Sequence, residues 1–206
     1  LAHHFKEVIA TDISEAQLKH ARTHPNVTYA HAPAPIPEND IERIIGPPGS
    51  IDIITVAQAL HWFDLPSFYA QAKHMLRNPG GIIAVWCYTE PCVNAEVDEV
   101  FWEFYRLSTP FWDSVRHIVD DEYRNLPFPF KPVLEEGGTG PVKFECKKEM
   151  GVDAFLTYLK SWSALQIARK QGVELLDEGR ENAFRTAWGN EVRTVTWPVF
   201  LRVGQP

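Results

Sequence analysis

The chain has 206 residues, 45% of them hydrophobic and 23% charged, which is the composition of an ordinary globular domain with a sizeable core. Its formal charge of -7 and the absence of any basic run denser than Lys147-Lys148 exclude a nucleic-acid backbone as partner, because neutralising phosphates takes clustered Lys and Arg. No stretch approaches the ~20 apolar residues of a membrane span and no signal-peptide pattern opens the chain, so neither a membrane partner nor export is expected.

Cys87, Cys92 and Cys146 are too few and too irregularly spaced for a disulfide framework or a zinc ribbon, and they suggest a reducing compartment, the cytoplasm. No His/Cys/Asp cluster has metal-ligand spacing. The first residue is Leu1 rather than Met, so a fragment or a processed product is expected.

In chain order, Val8-Ile9-Ala10 reads as a buried strand ending at Asp12. Ser14 then opens a helix, with Gln17 three residues on completing a capping box and Ile13 stapling onto Leu18, and His24-Pro25 closes it. Val27 to His31 is a second short strand. A Pro-rich loop leads to a brief helix near Ile41 to Ile45, and "GPPGS" punctuates the unit. "IDIITVAQAL" from Ile51 is apolar and β-branched, as suits a strand covered on both faces. Asp64 can cap the next helix, whose Leu65, Phe68, Tyr69, Ala72, Met75 and Leu76 recur at helical spacing. "GIIAVWCY" from Gly81 is another buried strand. The span Ile51 to Tyr88 is therefore a β-α-β unit, the signature of a parallel sheet.

The second half is rich in aromatic residues. A helix is expected over Ala95 to Leu107, an exposed-edge strand over "PVKFECKKEM", one helix over Val152 to Lys170, and a final strand from Val192 in which Pro198 favours an edge or a bulge. With no repeat, linker or low-complexity tract, residues 1–206 read as a single domain, with 1–90 the half that holds a ligand at the strand ends and 91–206 the substrate-side and C-terminal half.

In open parallel sheets, ligands bind outside the carboxyl ends of the strands. Asp12 stands at such an end, where a carboxylate can accept both hydroxyls of an adenosine ribose. A turn-forming Asx role is an equal reading of the local sequence, weakened by Ser14, which already supplies a cap.

"VIATDISEAQLKHA", "DIITVAQALHWFDLPSFYAQAKHMLRNPGGIIAVW", "LPFPF", "SWSALQIARKQGVELL" and "VRTVTW" together resemble the class I S-adenosylmethionine-dependent methyltransferases. Within them the chain is similar to the methyltransferase type 11 group, in the plant and fungal branch that includes trans-aconitate methyltransferase-like proteins. The resemblance implies an α/β fold: a Rossmann-like, doubly wound, mostly parallel sheet that binds S-adenosyl-L-methionine. It gives Asp12 the ribose, with Ile13 beside it, and puts His31, Ala32, Ala57 and Gln58 around the adenine and the methyl group. "AHAPAP" lacks the acid that many members use for the adenine amino group, so backbone contacts would replace it. His61 and Trp62 follow where substrate and cofactor would meet. His61 is a candidate base, its unperturbed pKa being near neutrality, or simply a helix-entry residue. Trp62 would pack over the cofactor pocket or in the core. Phe111 and Trp112 either wall the acceptor site or fill the core.

The resemblance also implies a first strand and a Gly-rich turn of the type "DVGCGTG", to which nothing in "LAHHFKE" corresponds. In the family that strand lies between the one ending at Asp12 and the one beginning at Ile51. The expectation is therefore an N-terminally truncated chain with two strand edges lacking ladder partners, either a fragment of a longer protein or marginally folded. The implied function is methyl transfer to a small-molecule acceptor, a carboxylate if the family branch is the guide. Two alternatives stand beside it: a truncated, cofactor-deficient relative serving as a non-catalytic interaction module, and an NAD-dependent dehydrogenase, which also carries an acid at the end of its second strand.

Overall fold

The computed structural model describes residues 1–133 and 138–206. By Cα packing the chain separates into two compact units. One comprises Leu1–Val85, Pro127–Thr139 and Val203–Pro206, and the other Trp86–Leu126 and Gly140–Arg202.

The first unit begins with strand β1 (Val8–Asp12), helix α1 (Glu15–Lys19) and strand β2 (Val27–His31). β1 and β2 pair in parallel, Val8 opposite Val27 through to Asp12 opposite His31. α1 is far shorter than the run to His24-Pro25 suggests. It buries no residue, and a helix of one turn with nothing to pack against gains too little to propagate. β1 likewise differs from the buried strand expected, since it is only half-buried. Asn26 ties the segment before β1 in place, its side-chain amide donating to the carbonyls of Ala2 (2.8 Å) and Phe5 (2.7 Å).

Helix α2 (Glu38–Ile44), strand β3 (Ile53–Ala57), helix α3 (Leu65–Met75) and strand β4 (Ile82–Tyr88) follow. A small core forms from Ala32, Ile36, Ile41 and Met75. Gln71 on α3 clamps the Pro-rich loop by accepting the Ile36 N–H (3.0 Å) and donating to its carbonyl (2.6 Å). The "LPFPF" motif packs here too. The Tyr69 hydroxyl donates to the Pro127 carbonyl at 2.7 Å, and the Tyr69 ring meets Phe128 and Phe130 edge-on.

The second unit holds helices α4 (Ala95–Ser108) and α5 (Arg116–Asp120), strand β5 (Val142–Met150), helices α6 (Val152–Lys160), α7 (Ser163–Lys170) and α8 (Glu178–Trp188), and most of strand β6 (Arg193–Gly204). Its core is aromatic: Phe101 and Phe104 of α4, Phe155 of α6, Trp162, and Phe184 and Trp188 of α8 are all buried. One helix was expected over Val152 to Lys170, but two form. The apolar spacing runs unbroken across the junction and gives no warning. There the Ser161 hydroxyl donates to the Tyr158 carbonyl at 2.6 Å and Trp162 turns extended, the local competition by which serine ends helices.

Four strands are hydrogen-bonded in the order β3-β4-β6-β5, while β1 and β2 form a separate pair. β5 is an edge, as its alternation predicts, and runs antiparallel to β6. Pro198 is the surprise: it lies inside β6, a strand with neighbours on both sides. Its carbonyl accepts the Thr89 N–H at 3.2 Å, so its missing donor faces the chain just past the end of β4 and costs the β5 ladder nothing. Among the described residues, β1 has β2 as its one strand neighbour and β3 has β4. No helix of the described residues is long and apolar enough to cross a membrane.

Candidate functional site

β1 delivers Asp12 to one end of the parallel pair, opposite His31. The Asp12 carbonyl accepts the Ala32 N–H at 3.1 Å, which extends the ladder one residue past β2 and brings buried Ala32 alongside. His31 Nε2 donates to the Ile13 carbonyl at 2.9 Å, and its Nδ1 lies 3.8 Å from Glu15 Oε1. Asp12, Ile13, His31 and Ala32 thus form one connected rim.

The Asp12 carboxylate is half committed. Oδ1 accepts the Ser14 N–H at 2.7 Å, while Ser14 Oγ accepts the Gln17 N–H at 3.3 Å. The reciprocal bond that a capping box would draw from the Gln17 side chain is made by Asp12 instead. Ile13 is 73% exposed, so the hydrophobic staple expected with Leu18 leaves it open to solvent. The turn-forming use of Asp12 is therefore present, but it does not exhaust the group. Oδ2 has no hydrogen-bond partner among the described residues, and a carboxylate offers about four acceptor sites.

A second group stands at the end of β3, formed by Ala57, Gln58, His61 and Trp62. Gln58 has φ +52°, in the left-handed region that a non-glycine residue enters at a cost of order 1 kcal/mol. Such strain persists where surrounding structure imposes it, and it concentrates at ligand sites. A single turn of 3-10 helix, Leu60–Trp62, comes next, anchored by fully buried Leu60. The His61 and Trp62 rings lie 5.2 Å apart, and Trp62 is 54% exposed, which removes the core-packing alternative for that indole. Asp64 occupies the N-cap of α3 without capping a backbone N–H; its carboxylate takes the Ser67 hydroxyl.

Phe111 and Trp112 belong to the second unit's core. The Trp112 indole donates to Ser108 Oγ at 3.0 Å and its ring lies 5.3 Å from that of Trp162, so core packing accounts for it. Nearby is a feature the sequence did not signal. Arg116, mostly buried, pairs with Glu90 and with Asp120 (2.8 Å) and covers the Trp112 ring at 4.6 Å. Burial holds the Tyr105 phenol above its ordinary range against the pull of Arg116. Every charge in this group has a partner, so it is framework.

A methyltransferase-named protein of Dictyostelium discoideum is 33% identical over 210 residues, covering 98% of this chain and 74% of the relative. The chain belongs to the class I S-adenosylmethionine-dependent methyltransferases. Residues 1–85 match the family described as Methyltransferase domain. The solved structure of a protein of Anaeromyxobacter dehalogenans, named a type II methyltransferase, is 39% identical and superposes with a TM-score of 0.79 over 100% of this chain and 83% of that one. A Saccharomyces cerevisiae protein named for S-adenosylmethionine-dependent methyl transfer is 33% identical over 95 residues, 43% of this chain and 30% of its own length. The fold is the α/β Rossmann-like one of these methyltransferases, the protein is an enzyme of that class, and S-adenosylmethionine is its cofactor. The dehydrogenase alternative falls away.

The rim fits the nucleoside portion of that cofactor. Asp12 is half-buried at a strand's carboxyl end, its Oδ2 is unengaged, and Ala32 beside it is buried and apolar. Residues 1–11 contain no glycine, so this stretch supplies no Gly-rich turn for the methionyl portion.

Proposed function

We propose that the chain transfers a methyl group to a small-molecule acceptor, with Asp12 accepting the cofactor's ribose hydroxyls. The reading rests above all on the unengaged Asp12 Oδ2 at the end of β1. Bound S-adenosylmethionine supplies an already activated methyl group, so the chain's own task is to align, enclose and exclude water. Ile13, His31 and the backbone around Ala32 border the adenine, and Ala57 and Gln58 border the methyl-bearing end. The exposed Trp62 indole covers the nucleoside and keeps water from it. His61 takes a proton at a ring nitrogen where the acceptor must lose one. We further take the acceptor to be a carboxylate, on the resemblance to the trans-aconitate branch, and the compartment to be the cytoplasm, which suits three free cysteines.

The test is calorimetric titration with S-adenosylhomocysteine. Asp12→Ala is expected to weaken binding by about 10- to 150-fold, the ~1.5 to 3 kcal/mol of hydrogen bonds to a charged group. Asp12→Asn separates the two uses of the side chain, because its amide oxygen still accepts the Ser14 N–H while the charge is gone. It should lose most of the affinity and keep the fold. Unchanged affinity in both variants would return Asp12 to a purely turn-forming role. Absence of binding by the unaltered chain would favour the non-catalytic alternative.

A further inference from the structure

The second unit contains a cavity of about 420 Å³ that the reading above does not use. That volume lies in the range of small-molecule sites. Its walls come from four elements: Tyr88 at the end of β4, Cys146 and Lys148 among the lining residues of β5, Tyr158 and Ala154 on α6, and Trp197 on β6.

The aromatic wall is fixed in advance. The Trp197 indole donates to the Tyr158 hydroxyl oxygen at 3.2 Å, and the two rings meet edge-on with centroids 5.5 Å apart. Burial raises the pKa of the Tyr158 and Tyr88 phenols, so both stay neutral near pH 7 and neither repels an anion.

The charge on β5 is divided by face. Side chains alternate along a strand, so Glu145, Lys147 and Glu149 share one face and Cys146 and Lys148 the other. On the first face the charges are engaged: Lys147 pairs with Glu145 at 2.9 Å, and Glu149 accepts the Thr194 hydroxyl. Lys148, on the cavity face, has no ion pair among the described residues. An aromatic slot with one uncompensated ammonium at its lining suits a flat apolar body that carries one negative charge.

The geometry points to a binding site for a small aromatic carboxylate, its ring against Tyr158 and Trp197 and its carboxylate on Lys148. The inference concerns this unit alone and needs no cofactor, so it stands or falls separately from the role of Asp12.

The test uses the full chain without cofactor, titrated with 1-naphthylacetate and with its neutral amide, 1-naphthylacetamide. The acid should bind saturably at one site and the amide about tenfold more weakly, the scale of one charge-assisted hydrogen bond. Lys148→Gln should weaken the acid by about the same factor and leave the amide unchanged, while Lys147→Gln should alter neither. Ala154→Phe should abolish binding of both. A readout that does not depend on any variant folding is alkylation: saturating acid should protect Cys146 from iodoacetamide and leave Cys92 reacting, because Cys92 is exposed and does not line the cavity. Equal affinity for acid and amide, undiminished acid binding in Lys148→Gln, unprotected Cys146 or no saturable binding at all would each overturn the proposal.

Discussion

The β1–β2 pair and the helical core of the second unit are built on opposite terms. No residue of β1, β2 or α1 is buried, whereas Phe101, Phe155, Phe184 and Trp188 are essentially withdrawn from solvent. The first region is held by one parallel ladder, an Asx turn and a serine cap; the second is held by interlocked rings, Phe155 touching Phe101, Phe184 and Trp188 with centroids 5.1 to 6.3 Å apart. The rim proposed to hold the cofactor sits on the thin part. That is where ligand binding does most for stability, since segments with few buried apolar contacts open at free energies well below global unfolding.

The sharpest way to break this contrast is to remove a ring from the dense part. Phe155→Ala deletes a fully buried side chain at the meeting point of α4, α6 and α8, and should cost about 3 to 5 kcal/mol in chemical denaturation, a large share of the ~5 to 15 kcal/mol that holds an ordinary domain folded. A loss under about 1 kcal/mol would mean that the core collapses freely around the gap and is not interlocked.

A smaller effect sharpens the same point through pH. Cys87 in β4 is fully buried, and burial, reinforced by the nearby Glu122 charge, pushes its thiol from 9.0 up to about 12. Folding therefore retains a proton that the unfolded chain releases above about pH 9. The unfolded state gains relative stability as pH rises from there towards 12, at up to about 1.4 kcal/mol per pH unit. Urea denaturation from pH 8 to 11 should show this fall, and Cys87→Ala should flatten it; an identical slope in the variant would remove Cys87 as its source. At pH 8, iodoacetamide should reach exposed Cys92 and Cys146 in the folded chain and Cys87 only in denaturant.

Legibility in the sequence follows the same division. Elements with a strong local pattern are legible: β3, α3 and β4 appear where apolar runs and helical spacing indicate, and β5 is an edge strand as expected, although seven consecutive residues of it are exposed and its two faces do not differ in burial. The resemblance led to the family, and four of the rim residues assigned through it are connected in space. What escaped was what depends on the third dimension. The length of α1 depended on having no surface to pack against, and the break at Ser161 was hidden by an unbroken apolar period. Pro198 was tolerated because its missing donor points to where β4 has ended. The left-handed Gln58 could not be foreseen at all, because glycine is the residue that signals such a conformation and this position has none. The cavity on β5 was invisible for a simpler reason: its lining comes from three stretches of chain, at 86–88, 146–158 and 197–199, far apart in sequence.

The smallest predicted effect tests whether the thin region is held locally, as its hydrogen bonds imply. Ser14→Ala removes the one side-chain cap of α1 and should cost about 0.5 to 1 kcal/mol. Because no residue of α1 is buried, that loss should be confined to the rim. In native-state hydrogen exchange, the β1 and β2 amides should then open more easily by that amount while those of β6 from Val195 to Leu201 are unchanged. Uniform loss of protection across both regions would mean that the pair unfolds only with the whole molecule. The contrast between them would then be one of burial and not of stability, and the cofactor rim would be as rigid as the aromatic core.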